Sequence, residues 1–125
     1  MTIKDMMNQV DRLTPNQFEY ADKLAWLNEV EGLIYQEVIL THHGAGHIHF
    51  EGYTTSTDPN TELIAREPYC DVYRFFIEGK INQANGEMGR YNNAATAFNS
   101  SFKAFADFWN RTHLAFGRAR KVRVV

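Results

Sequence analysis

Residues 77–109 read IEGKINQANGEMGRYNNAATAFNSSFKAFADFW. Within them Ile77, Ile81, Ala84, Met88, Tyr91, Ala95, Phe98, Phe102, Phe105 and Trp109 recur at intervals of four and three, which lays an apolar stripe along one helical face. The residues between are mostly Asn, Gln, Ser, Ala, Lys and Glu, with no nucleophile, base and orienting group in catalytic order. A single helix over 68–112 would be roughly 65 Å long, far beyond the usual length. Gly86, Gly89 and the pair Asn92 and Asn93 look like an end followed by a start. The stretch is therefore expected to form two helices, over 68–86 and 92–112, joined by a kink or short turn.

Upstream, Ile3, Met6, Met7, Val10 and Leu13 predict a helix over 3–13, with Thr2 as N-cap and Asp5 in the first turn. Phe18, Ala21, Leu24, Leu27, Val30, Ile34 and Val38 predict a second over 18–41, with Glu29, Glu31, Gln36 and Glu37 mostly on its other faces. Gly32 costs this helix up to about 1 kcal/mol relative to Ala, which a close contact would explain. Pro68 suits a first helical turn. Between helices two and three the alternation His47, Ile48, His49, Phe50, Glu51, Gly52, Tyr53 and the run 54–61 predict a loop over 42–66 that projects from the helices and carries a short strand or hairpin within 47–66. The expected fold is mainly α: one domain over 1–125, a bundle of about four helices, with Trp26, Leu27, Ile34, Ile77, Ile81, Phe98 and Phe102 among the buried residues.

The chain's 125 residues, 44% hydrophobic and 22% charged, suit a single core and are too apolar for wholesale disorder. Nine Phe, six Tyr and two Trp imply a bulky shared core or surface reserved for other subunits. A formal charge of −2 gives no reason to expect nucleic acid or an anionic membrane as partner of the whole molecule. Charge is nonetheless uneven, because Arg118, Arg120, Lys121 and Arg123 form a basic tail over 117–125 with no acid. This tail reads either as a solvated end or as an arm that orders on a partner, by strand addition through Val122, Val124 and Val125 or by charge. The start of the chain lacks a signal-like apolar core, and no run of roughly 18 apolar residues occurs, so a soluble intracellular protein is expected. Cys70 is the single cysteine, which excludes an internal disulfide and suits a small buried hydrophobe.

His42, His43, His47 and His49 crowd together, but their spacing fits no common structural zinc pattern and no cysteine lies near. No metal or other cofactor is expected. Asp58, Glu62, Glu67 and Asp71 are scattered, without the pairing that acid and base chemistry requires, and the short signatures of hydrolases, nucleotide enzymes and metalloproteases are absent. Asn82, Asn85, Asn92, Asn93, Asn99 and Asn110 read as caps, as interfacial hydrogen-bonding groups, or as solvated side chains.

The segment order, the stretches 13–17 (LTPNQ), 26–42 (WLNEVEGLIYQEVILTH) and 90–93 (RYNN), and 98–102 (FNSSF) together resemble the head-tail connector, or adaptor, family of tailed bacteriophages and prophages. The likeness spans most of residues 11–113. It implies a helical, non-enzymatic virion subunit, assembled in the bacterial cytoplasm, that forms a homo-oligomeric ring beneath the portal. Such a ring extends the channel for DNA, without sequence-specific contact, and docks the tail. It also implies that the loop and the basic tail contact ring neighbours, portal and tail-completion proteins, which makes His47, His49, Phe50, Tyr53, Arg118, Arg120, Lys121 and Arg123 the expected partner-binding residues. The histidine-rich loop departs from an easy match. The alternative is a small DNA-binding or regulatory protein using the basic tail, although segments two to four lack a face of several Arg or Lys. A metal enzyme built on the histidine loop would be a third reading.

Overall fold

The structure, a computed structural model, describes residues 1–44 and 46–113. Four α-helices follow one another: α1 Ile3–Leu13, α2 Tyr20–Ile34, α3 Asp71–Ala84 and α4 Met88–Thr112. A π-helical turn, Tyr35–Ile39, extends α2. No strand occurs among the described residues, and no described helix is long and apolar enough to cross a membrane.

Helix α1 begins where its capping signal places it. Thr2 Oγ1 accepts from the Asp5 amide and the Asp5 carboxylate accepts from the Thr2 amide, satisfying two groups that a helix start leaves unpaired. Ile3, Met6, Met7 and Val10 then point into the core. At the far end of α2, the Leu40 amide donates to the Tyr35 carbonyl at 3.0 Å. This wider turn advances the phase and lets the adjacent Val38 and Ile39 both be buried.

The stretch 77–109 folds back on itself. Gly86 adopts φ +73°, a left-handed conformation that suits glycine just past a helix end, and its amide donates to the Gln83 carbonyl. Helices α3 and α4 consequently run in opposite senses: an added Cβ on Gly79 would lie 3.7 Å from the Ala94 Cβ, Phe76 meets Phe98 at 5.3 Å, and Tyr69 stacks on Phe108 at 4.7 Å. The middle of the apolar stripe is exposed where the chain turns, with Met88 at 53%. Leu27, Ile34, Ile77 and Ile81 are buried as expected. Trp26, Phe98 and Phe102 are only half-buried, packing against the margin of the core, with Phe18 5.2 Å from the Trp26 ring.

Helix starts differ from expectation: α2 begins at Tyr20 rather than 18 and α4 at Met88 rather than 92, a full turn earlier. Helix α3 starts at Asp71 rather than 68; Pro68 follows a cis peptide bond in the preceding turn. The segment 42–66 forms no hairpin among the described residues, and its second arm is held against the start of α1. Its single β-bridge pairs Thr2 with Glu62, the Ile3 and Lys4 amides donate to the Thr61 and Pro59 carbonyls, and the Leu63 amide donates to the Met1 carbonyl. Leu63 and Ala65 are fully buried. The physical reason is that the segment carries core side chains and that polar groups on α2 hold it down. The residues that follow His113 lie outside the described ones, so the basic tail has no structural account here.

Candidate functional site

The segment is pinned by a buried carboxylate. Glu31 follows Leu27 by four residues and precedes Ile34 by three, so it faces the core with them rather than the outer faces expected of it, and it is 0% exposed. Its Oε2 accepts from the Tyr53 hydroxyl at 2.7 Å and the Ile64 amide at 3.1 Å. Its Oε1 accepts from the Tyr73 hydroxyl at 2.6 Å, which in turn accepts from the Ala65 amide. One side chain of α2 thus gathers α3 and both arms of the intervening segment. Asn28 completes the attachment, accepting from the Tyr53 amide and donating to its carbonyl. The Phe50 ring settles beside Gly32, where an added Cβ would lie 3.9 Å from it.

Burial drives the Glu31 carboxyl above its ordinary value, partly opposed by the Tyr73, Tyr53 and Ile64 donors. Burial and the neighbouring Glu31 raise the Tyr53 and Tyr73 hydroxyls, which keeps both protonated as donors. A carboxyl whose folded pKa is raised retains its proton after the unfolded chain has released it, so stability falls as pH rises from about 4.5 through the folded value. The thermal stability of the wild type relative to E31Q should therefore be greatest below that window, decline through it and be flat above it. Parallel melts across pH check this; a pH-independent difference would contradict it.

Above the carboxylate lies a cleft of about 630 Å³ between residues 47–53 and 61–64, with Trp109 of α4 in its wall. The structure brings together His47, His49, Phe50 and Tyr53, four of the expected contact residues. His47 and His49 are exposed while Phe50 and Tyr53 are half-buried. His49 pairs with Glu51 at 2.9 Å, and Phe50 meets Tyr53 at 4.9 Å. Arg118, Arg120, Lys121 and Arg123 fall outside the described residues.

His42 serves as a structural tie. Its Nδ1 lies 2.6 Å from the Val38 carbonyl and its Nε2 lies 2.6 Å from Asn110 Oδ1, fastening the π-helical end to α4. Among the described residues no three His, Cys, Asp or Glu converge as a metal site. Untagged protein after mild dialysis should carry far less than stoichiometric metal; elemental analysis finding stoichiometric zinc, nickel or copper, with a lower melting temperature on its removal, would contradict this. Cys70 is buried, donates to Glu67 Oε2 at 3.0 Å, and is pushed up to about 11, first by burial and then by Glu67. Such a thiol is not an activated nucleophile.

The other notable surface belongs to α4. Of its 25 residues only Ala94, Phe105 and Trp109 are buried. Phe76, Phe98 and Phe102 form a half-buried aromatic row along the hairpin, Phe98 and Phe102 lying 5.7 Å apart, and Lys80 sits 5.4 Å from the Phe76 ring. Periodicity alone marked Phe98 and Phe102 as core, since it identifies a face but not what covers it. Compared with protein-family models, curated proteins and solved structures, the chain matches none.

Proposed function

We propose that this chain is a structural assembly subunit that self-associates through the outer face of the α3 and α4 hairpin, and that it acts as a head-tail connector subunit in a phage virion. The observation that carries the first part is the long helix α4 with three buried residues and a partly uncovered aromatic row. Apolar surface of this kind is covered in oligomers by neighbouring copies. The connector assignment is supported by the sequence resemblance over most of 11–113. In that role the subunits close into a ring beneath a portal through a heterologous interface, and the basic tail makes docking contacts with portal and tail-completion proteins.

Negative-stain microscopy of the protein mixed with a candidate portal tests the assignment. Rings of the protein seated on the portal are expected; a strictly monomeric protein that ignores portal and binds duplex DNA with sequence preference would replace it with the regulatory reading. Truncation after Phe116 should leave helicity intact by circular dichroism, because all four helices lie within Ile3–Thr112. A large loss of helicity would place the tail in the core.

A further inference from the structure

Three of the asparagines whose role the sequence leaves open meet in one place. Asn82 near the end of α3, Asn85 just past it and Asn93 on α4 line a cavity of about 440 Å³ between the C-terminal end of α1 and the turn that joins α3 to α4. That volume falls in the range of small-molecule sites, and Leu13, Pro15, Phe75 and Ile81 give it apolar walls. Asn82 is only 8% exposed, yet its side-chain amide has no hydrogen-bond partner among the described residues. Its backbone carbonyl accepts from the Glu87 amide at 2.9 Å, so the residue is tied into the turn while its side chain lines the cavity. Buried amides are ordinarily paired, and this one is left open to a ligand.

Charge narrows the class of that ligand. The charged residues in the lining are Glu78, Glu87 and Arg90, and each already has a partner within the chain. Glu78 pairs with Arg74 at 3.1 Å and Glu87 with Arg90 at 3.3 Å, so an ionic ligand would have to compete with one of these pairs. At the rim, Asn85 Oδ1 accepts from Gln17 Nε2 at 2.8 Å. What the floor offers is the Asn82 amide, which presents a donor beside an acceptor, and the edge that matches it is that of another amide.

We propose that this cavity binds an uncharged carboxamide carried on an apolar body, with the amide edge on Asn82 and the body against Phe75 and Ile81. Such a group belongs either to a free small molecule or to a peptide, and benzamide and N-acetyl-leucinamide are the probes that separate these sources. None of Phe76, Phe98 and Phe102 lines the cavity, so the readout is independent of self-association through that row.

The test follows the side-chain amide signals of the isotope-labelled full chain by nuclear magnetic resonance, with the Asn82 pair assigned by its loss in Asn82→Asp. Saturable movement of the Asn82 signals is expected with at least one probe; tighter binding of benzamide assigns the site to a small molecule, and tighter binding of N-acetyl-leucinamide assigns it to a peptide. The corresponding carboxylates, benzoate and N-acetylleucine, should bind about tenfold or more weakly than their amides. Asn82→Asp, which keeps the size of the side chain and gives up its donor, should weaken binding of the amide by a similar factor. Circular dichroism verifies the fold of this variant, and Asn82→Leu takes its place if it does not fold. Movement of the Asn82 signals by neither amide, carboxylates that bind as well as the amides, or variants that bind as well as the wild type would each overturn the proposal.

Discussion

Replacing Glu31 by alanine should lower the free energy of unfolding by about 4 kcal/mol. The carboxylate is fully buried and accepts from Tyr53, Tyr73 and the Ile64 amide. Its removal strands three donors in a space that water does not readily reach, and each buried unsatisfied group costs about 1–3 kcal/mol. Relaxation of the two tyrosines recovers part of that. Urea denaturation followed by circular dichroism reads the change; a loss under about 1 kcal/mol would mean that the carboxylate does not hold the segment 42–66 to the helices. Tyr53→Phe removes a single donor from the half-exposed side and should cost less.

Phe105→Ala should have a comparable effect, about 3–5 kcal/mol. Phe105 is 1% exposed and packs between Tyr69 at 6.3 Å and Trp109 at 5.8 Å. It is the most deeply buried side chain of α4. Thermal melts and near-ultraviolet circular dichroism measure the loss. Phe102→Ala, at a half-buried position on the same helix, should cost the isolated protein markedly less, and equal costs for the two would contradict the assignment of inner and outer faces.

The same residues show how far the sequence could be read. Helix α1 was legible because local groups decide it: Thr2 and Asp5 cap each other, and the apolar residues keep one phase. The α3 and α4 pair was legible in outline, although the turn at 85–87 had to be inferred from Gly86 against an apolar phase that continued through it. The course of 42–66 was not, because the groups that hold it are far away in sequence: Glu31 lies 33 residues from Ile64 and Asn28 lies 25 from Tyr53. The available signal was Glu31 itself, an acid at a core-facing position between Leu27 and Ile34. His47, His49, Phe50 and Tyr53 are named as contact residues through the family resemblance, alternation suggesting only a short strand or hairpin, while Trp109 could be placed in the same cleft only by the folding of α4 against the segment. Half-burial of Trp26, Phe98 and Phe102 depends on what lies outside the helices, which periodicity does not encode.

Self-association through the hairpin face is the central claim, and light scattering across a concentration series measures it most directly. The wild-type chain should gain mass with concentration. A Phe98→Asp and Phe102→Asp double variant should remain monomeric over the same range, with unchanged helicity, because it places charge on the half-buried row without touching Phe105. A wild-type protein that stays monomeric at every concentration, or a double variant that associates as well as the wild type, would contradict the account.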